Sequence, residues 1–246
     1  MTTEGSLAEN RLQRLRALLA ADRSGSARST VSLACERCVV ELGVSGAGAT
    51  VLSRLGGADG DGQTSRGLVH ATNEVSAGLE DLQLTVGEGP CLDAFASGGP
   101  VLVSDLAAAT ARWPGFGPAA CELGAAAVFS FPLQIGVVQL GSLDLYRDTP
   151  GPLTRAELTD ALILGDLATE GVVADLDGHG VDDLSWLADP HVEVHQAAGM
   201  VQTQLRSSTE VALIRLRGYA YTHNLTLAEV ARQVVARTLL FTEDGR

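Results

Sequence analysis

Two neighbouring stretches decide the fold, namely Ala126-Ala-Val-Phe-Ser-Phe-Pro-Leu133 and Val138-Gln-Leu-Gly-Ser-Leu-Asp-Leu-Tyr146. Both are short and rich in aliphatic and aromatic residues, and only four residues separate them. Short runs of this composition are typical of strands, and two such runs joined by a short turn pair with each other. The sequence therefore predicts a central strand pair at this point of the chain.

Further strand-like segments precede this pair. Residues 49–53 and 67–72 predict two strands that flank a turn rich in Gly and Asp at residues 56–62. Residues 74–84 predict a helix, and residues 100–103 predict a short strand. The middle of the chain is therefore expected to form a sheet.

Helices are predicted on both sides of the sheet region. Leucine spacing predicts a helix over residues 6–22, and a second helix over 27–42 ends at Gly43, which suits a helix C-cap. Thr154-Arg-Ala-Glu157 is a capping box and starts a long helix that reaches about Leu176. Strands in the middle with helices at both ends predict an α+β fold, in which an antiparallel sheet packs on helices.

The C-terminal part changes character after residues 177–190, which break the periodicity and are predicted to be a linker. Two further capping boxes, Ser207-x-x-Glu210 and Thr226-x-x-Glu229, divide residues 191–246 into three helices. Gly199 lies in the middle of the first helix, which predicts a close approach of another backbone. The apolar faces of three short helices can form only a small hydrophobic core. The bundle is therefore expected to bury further apolar surface against the long helix or a second subunit.

Charge is distributed unevenly along the 246 residues. Residues 1–190 hold 11 arginines and 25 acidic residues, whereas residues 191–246 hold 6 and 5. The chain contains no lysine, which excludes the usual P-loop and Schiff-base sites. The acidic body repels nucleic acid, whereas the C-terminal end permits a local patch that binds it.

The second C-terminal helix carries the candidate nucleic-acid contacts. Arg215 and Arg217 lie away from its apolar stripe, Tyr221 follows Arg217 by four residues, and Asn224 lies in the next turn. Arginine and aromatic side chains suit phosphates and unstacked bases, which is how single-stranded RNA loops are read. The alternative interpretation is a tight helix crossing with a solvated arginine face.

Three motifs in this region are similar to those of the ANTAR domain family, namely Gln196-Ala-Ala-Gly-Met-Val201, Ala212-Leu-Ile-Arg-Leu-Arg-Gly-Tyr-Ala220 and Leu227-Ala-Glu-Val-Ala231. The resemblance covers residues 191–241 and implies a three-helix module that binds RNA hairpins in transcription antitermination. It adds Gln196 to the expected RNA contacts and implies that Gly199 permits the helix packing. Many members have a lysine where this chain has Ala198, so one phosphate contact is absent.

The middle of the chain resembles the GAF domain family. The resemblance rests on Gly87-Glu-Gly-Pro-Cys91, Pro100-Val-Leu-Val-Ser-Asp105, Phe131-Pro-Leu133 and Gly141-x-Leu-Asp-Leu145. It implies a small-molecule sensor with a six-stranded sheet and flanking helices. The predicted organisation is an N-terminal helix at 1–26, a GAF-like domain at 27–176, a linker at 177–190 and an ANTAR-like domain at 191–246.

The four cysteines divide into two groups. Cys35 and Cys38 form a single CxxC pair on an apolar helical stripe, which favours buried structural thiols over a metal or redox site. Cys91 and Cys121 resemble the cysteines of the GAF-type free methionine-R-sulfoxide reductases. Asp144 matches one substrate-binding carboxylate of those enzymes, but Ala127 and Val128 occupy the place of the second. Ligand or redox sensing by Cys91, Cys121 and Asp144 is therefore preferred to catalysis.

The sequence therefore predicts a signal-responsive regulator that binds hairpins in nascent transcripts and promotes antitermination. It is expected to be cytoplasmic, because no signal peptide or membrane span is found. The two terminal helical regions predict a homodimer, in which two RNA sites would give avidity, and no enzymatic activity is expected. No cofactor or metal is predicted, since the five histidines show no ligand spacing. The alternatives are a methionine sulfoxide reductase using Cys91 and Cys121, and a sensor that docks a protein and does not bind RNA.

Overall fold

A sheet with helices on both faces forms the first part of the molecule, and a helical bundle follows it. The computed structural model describes residues 3–24, 28–55, 63–179, 192–223 and 225–242. Its α-helices are α1 Thr3–Arg23, α2 Thr30–Leu42, α3 Glu74–Val86, α4 Pro90–Ser97, α5 Phe116–Glu122, α6 Arg155–His179, α7 Val192–Leu205, α8 Thr209–His223 and α9 Leu227–Val235. Its strands are β1 Gly46–Leu55, β2 Gln63–Ala71, β3 Val101–Val103, β4 Ala127–Ile135 and β5 Val138–Arg147.

The sheet is antiparallel throughout and has the strand order β2-β1-β5-β4-β3. The predicted central pair is confirmed, because β4 and β5 form a hairpin in which Phe131 lies opposite Leu143. In the described residues the sheet has five strands, one fewer than the family resemblance implied. The predicted antiparallel sheet with flanking helices is therefore correct, and its strand number is not.

One face of the sheet packs on α2 and α6, and α1 packs on these two helices. Phe129, Phe131 and Leu143 are fully buried in this core, and burying each side chain of this size contributes about 1.5–3 kcal/mol. Cys35 and Cys38 lie in the same core with no exposed surface, and burial raises the pKa of both thiols. The interpretation of these two cysteines as structural is consistent with this burial.

The opposite face of the sheet packs on α3 and α4, and α5 packs on α3. Its hydrophobic cluster includes Leu79, Trp113, Phe116 and Tyr146. Side chains alternate between the two faces along each strand, so polar residues of β4 and β5 point toward α3. This face therefore holds the buried polar residues described below.

The bundle of α7, α8 and α9 has its own core, made from the predicted apolar stripes. Leu84 of α3 is buried in the same core, and the backbone N–H of Leu227 donates to Thr85 Oγ1 at 3.2 Å. The extra surface that the bundle buries therefore comes from α3. The sequence analysis expected the long helix or a second subunit to supply this surface. Among the described residues the long helix α6 packs instead on α1, α2 and β4, and burial against a second subunit stays a prediction.

Most of the predicted helix ends are confirmed. Gly43 has a φ of 57° at the end of α2, and both Thr154 and Thr226 form the expected capping boxes. At α8 the prediction is one residue off, because Ser208 rather than Ser207 accepts the N–H of Val211. The helices α4 and α5 were not predicted.

Some predictions fall on residues outside the described part of the chain. The turn at 56–62 and Asn224 are among them, as is most of the predicted linker, although α6 continues to His179. Among the described residues, no helix is both long enough and apolar enough to span a membrane.

Candidate functional site

Asp144 lies in the middle of the sheet, on the face covered by α3. In the strand register it stands between Ser130 of β4 and Gly48 of β1. Its Oδ2 accepts a hydrogen bond from Ser142 Oγ at 2.6 Å, and its Oδ1 is inaccessible to solvent and has no hydrogen-bond partner. The predicted ligand residue therefore points into the interior of the domain.

A second carboxyl group, from Glu80 of α3, lies beside it. Glu80 is buried, and its Oε2 accepts a hydrogen bond from Thr50 Oγ1 at 2.9 Å. A Cβ atom at Gly48 would stand 3.3 Å from Glu80 Oε1, so a glycine in β1 makes room for this side chain. The sequence analysis found no second carboxylate at Ala127 and Val128, and the structure places one, Glu80, on a helix beside Asp144.

The segment Gly87-Glu-Gly-Pro-Cys91 places a thiol near these carboxyl groups. Gly87, with a φ of 73°, ends α3, and Cys91 lies in the first turn of α4. Gln83 Oε1 accepts the N–H of Cys91 at 2.8 Å. Gly89 has a φ of 145°, and a Cβ there would meet Gln83 Oε1 at 2.5 Å. Both glycines of the motif are therefore needed to bring Cys91 under α3.

Glu80, Cys91 and Asp144 form a compact group of donor atoms. One ligand atom from each residue lies within 4.8 Å of the other two, and no other group of three such residues is found in the described ranges. A cavity of about 20 Å³ adjoins the group and is lined by Ser76, Glu80, Asp144 and neighbouring side chains. This volume holds about one water molecule. We call these three residues and the cavity the acidic site.

The electrostatics of the acidic site disfavour ionisation of Asp144. Burial raises the pKa of this carboxyl group well above its usual value, and the nearby Glu80 charge raises it further. Hydrogen bonds from Ser130 and Ser142 act in the opposite direction without cancelling these effects. Asp144 therefore retains its proton at pH values where an exposed aspartate is ionised.

Cys121 does not belong to the acidic site. It lies on α5, is partly buried, and packs against the hydrophobic cluster on this face of the sheet. It is not part of the group of donor atoms that Glu80, Cys91 and Asp144 form. The structure therefore brings together Cys91 and Asp144, but it does not add Cys121 to them.

The predicted RNA contacts on α8 do not form one patch. Arg215 is exposed, and Tyr221 has 77% of its surface exposed. Arg217 is half-buried, and its Nε donates a hydrogen bond to the carbonyl oxygen of Leu84 at 3.1 Å. Residues two positions apart on an α-helix are separated by about 200° around the helix axis. The side chains of Arg215 and Arg217 therefore project from nearly opposite sides of α8.

A groove that the sequence analysis missed lies on the Arg215 side of α8. Arg215, Tyr219, His223 and Phe241 line it, and its volume is about 850 Å³. The rings of Tyr219 and His223 stack at 3.8 Å, and Phe241 meets Tyr219 edge-on at 5.7 Å. The i,i+4 spacing of the two stacked rings is a signal that the sequence already contained. We call this the aromatic groove.

The first helix of the bundle corrects two expectations. Among the described residues, a Cβ at Gly199 would meet nothing within 4 Å, so the close approach predicted at this glycine is not found there. Ala198 is fully buried in the bundle core, so this position does not face a surface that RNA could reach. Gln196 is exposed, as a contact residue requires.

Comparison with known proteins identifies the first part of the chain. The sequence profile of the GAF domain matches residues 24–172. No curated protein matches the chain. Among solved structures, the GAF domain of a phosphoenolpyruvate-protein phosphotransferase from Coxiella burnetii is 18% identical, with a TM-score of 0.50 over 70% of this chain and 98% of its own.

Two further solved structures are more loosely similar. The GAF domain of a phosphoenolpyruvate-protein phosphotransferase from Acinetobacter is 15% identical, with a TM-score of 0.49 over 73% of this chain and 99% of its own. A free methionine-R-sulfoxide reductase from Neisseria meningitidis is 20% identical, with a TM-score of 0.39 over 72% and 95%. At such identities, likeness of structure concerns the fold and does not identify an activity.

Proposed function

This chain belongs to the GAF domain family, and from that premise we propose that the acidic site of its GAF domain controls an RNA-binding bundle. The bundle is α7–α9, which we assign to the ANTAR type on its sequence motifs. The bound RNA is a hairpin in a nascent transcript, and its binding favours continued transcription. The GAF domain supplies the sensing role, and the bundle supplies the output.

The observation that carries this proposal is that one helix serves both parts. Glu80 and Gln83 of α3 face the acidic site, whereas Leu84 is buried in the bundle core. Arg217, a candidate RNA contact, donates to the Leu84 carbonyl. A ligand that shifts α3 at Glu80 therefore acts on residues one turn away that hold the bundle.

The aromatic groove supports RNA as the partner of the bundle. Arg215 supplies a positive charge at its edge, and Tyr219, His223 and Phe241 supply ring surfaces. Guanidinium groups bind phosphates, and aromatic rings stack on unpaired bases, as in the loop of a hairpin. Docking on α3 occupies Arg217, so this arginine reaches RNA only when the bundle moves away.

We propose that the chain acts by binding and not by catalysis. The cavity of about 20 Å³ is too small for an amino-acid substrate such as methionine sulfoxide, and Cys121 does not line it. The alternative of a protein-docking sensor rested on the missing basic residue at 198. Since Ala198 is buried, its identity does not bear on RNA contact.

A homodimer completes the proposal, because two bundles on one assembly would bind two hairpins with avidity. The helices α2 and α6 each leave a large apolar side chain exposed, Val40 and Leu162. Exposed apolar residues on packed helices are compatible with a subunit interface. Sedimentation equilibrium of the full chain measures this directly, and a monomer at micromolar concentration would contradict it.

The RNA assignment is tested by selection from a pool of stem-loops with randomised loops. The full chain should enrich stem-loops, and Arg215→Ala should bind the enriched pool at least about tenfold more weakly, because a charged hydrogen bond contributes about 1.5–3 kcal/mol. Arg16→Ala removes the same charge from α1, far from the bundle in sequence, and should bind like wild type. Failure to enrich any stem-loop would refute the assignment.

A further inference from the structure

We propose that Glu80, Cys91 and Asp144 form a binding site for one divalent transition-metal ion of the zinc class. This inference deepens the proposed function, since it names the ligand class of the sensor site. It rests on that function only for its regulatory consequence, because metal binding by itself requires no RNA. The sequence analysis predicted no metal, because it found no ligand spacing among the histidines. The three donors here come from separate elements, so no local spacing connects them.

The geometry of the donors suits one ion. Zn–S bonds are about 2.3 Å and Zn–O bonds about 2.0–2.2 Å, so two ligands of one zinc ion stand roughly 3–4.5 Å apart. The donor atoms of Glu80, Cys91 and Asp144 all lie within 4.8 Å of one another. Small side-chain rotations therefore bring all three to bonding distance.

Unpartnered polar atoms also point to a ligand. Ser76 is 97% buried and lines the cavity, but its Oγ has no hydrogen-bond partner, and the same holds for Asp144 Oδ1. Buried polar groups without partners cost free energy, so they indicate an absent water or ion. The cavity of about 20 Å³ admits an object of this size and excludes a larger organic molecule.

The groups of the acidic site suit a cation that displaces their protons. Two carboxyl groups and a thiol converge there, and none of the residues that line the cavity is basic. Ionised carboxylates in the interior are stable only when they are paired or coordinate a metal. A divalent ion would compensate both carboxylates and would also displace the proton of Cys91.

The donor set selects the class of metal. A thiolate favours zinc and related transition metals, whereas magnesium and calcium take oxygen ligands. Three protein ligands leave a fourth position for water or a signal molecule, as in zinc sites that bind substrates. Gln83, which holds the backbone of Cys91, and Ser142, which holds Asp144, act as positioning residues around the ligands.

Cobalt(II) titration of the chelator-treated full chain tests the site. We expect one Co²⁺ per chain and a near-ultraviolet thiolate-to-cobalt absorption band, which Zn²⁺ competes away. Cys91→Ser should abolish the band, and Asp144→Asn should weaken Co²⁺ binding at least about 100-fold, because even residues behind the ligands contribute 10–100-fold. Cys121→Ser is the matched control and should retain the band at full intensity.

The outcomes separate the two proposals. Absence of the band in the folded wild-type chain, or its full retention in Cys91→Ser, would refute the metal site. Circular dichroism of each variant identifies misfolding, and Asp144→Asn gives a nearly isosteric second test. A chain that binds Co²⁺ but enriches no stem-loop would refute the RNA assignment alone, whereas stem-loop binding without cobalt binding would refute the metal site alone.

Discussion

At the scale of single residues, two carboxyl groups share one buried space in the GAF domain. Asp144 lies on the sheet and Glu80 on the helix above it. The Thr50 hydroxyl donates a hydrogen bond to Glu80, and the Ser142 hydroxyl donates one to Asp144. Such a pair is unfavourable when both groups are ionised, because burial weakens solvation and the like charges repel. Without a cation, the acidic site therefore lowers the stability of the fold.

Asp144→Asn should stabilise the metal-free protein more at high pH than at low pH. The native pKa of Asp144 is raised above its ordinary value of 3.8, so its proton is held in the folded state where the unfolded chain has lost it. Its contribution to stability therefore falls as pH rises above that value. Asparagine does not ionise and avoids this loss.

Urea unfolding in the presence of a chelator measures the effect. At pH 8 the variant should be more stable by on the order of 1–3 kcal/mol, as for other uncompensated buried polar groups. The gain should shrink toward pH 4, near the ordinary pKa of 3.8. An equal or lower stability of the variant at both pH values would contradict the assignment of a raised pKa.

Gly89→Ala should destabilise the domain by about 2 kcal/mol, because of its left-handed φ and the clash with Gln83. The change should also displace Cys91, whose N–H the same Gln83 accepts. Gly99→Ala is the matched control, since a Cβ there meets only Ser97 Oγ at 4.0 Å. Thermal unfolding compares the two variants, and equal effects would show that the Gly89 geometry is not required.

At the scale of elements, α3 is the helix that connects the acidic site with the bundle. Its buried residues are Ser76, Leu79, Glu80, Gln83 and Leu84. This is one continuous helical face, in which polar residues alternate with leucines. Toward the C-terminal end of the face, Leu84 and Thr85 contact the bundle, and Gly87 leaves space for the Arg217 guanidinium.

Leu84→Ala should loosen the bundle without unfolding the GAF domain. Removing this buried side chain leaves a cavity at the contact and costs about 2–5 kcal/mol. Hydrogen exchange of the full chain should show faster exchange in α8 and α9, while the amides of β4 and β5 stay protected. Leu79→Ala, on the same helix but in the sheet-side cluster, should instead speed exchange in the GAF domain. Unchanged exchange in α8 and α9 would contradict the docking role of Leu84.

The elements themselves were largely predictable, because the strands and long helices have clear periodicity and capping signals. The helices α4 and α5 were missed, since they have only 8 and 7 residues and lie among glycines and prolines. Glu80 was missed although its signal was present, as an acid at a core-facing position of a predicted helix is unusual. The contact between Arg217 and Leu84 joins residues far apart in sequence, and no local pattern predicts it.

At the scale of the whole molecule, contacts of α3 with α8 and α9 attach the bundle to the GAF domain among the described residues. They include the burial of Leu84, one hydrogen bond from Arg217 and one to Thr85. Each such hydrogen bond contributes about 0.5–1.5 kcal/mol net, and the leucine contributes about 1.5–3 kcal/mol. Coupling energies between regulatory sites are about 1–3 kcal/mol, so a ligand at the acidic site is able to shift this balance.

The affinity of the full chain for its enriched stem-loop RNA tests the central claim most directly. Leu84→Ala weakens the docking that holds Arg217 at the Leu84 carbonyl. The variant should therefore bind the RNA at least about fivefold more tightly than wild type, which is the lower range of allosteric coupling. Leu84→Ala combined with Arg217→Ala should lose this gain. A folded Leu84→Ala chain that binds the RNA no more tightly than wild type would contradict the control of the bundle by the GAF domain.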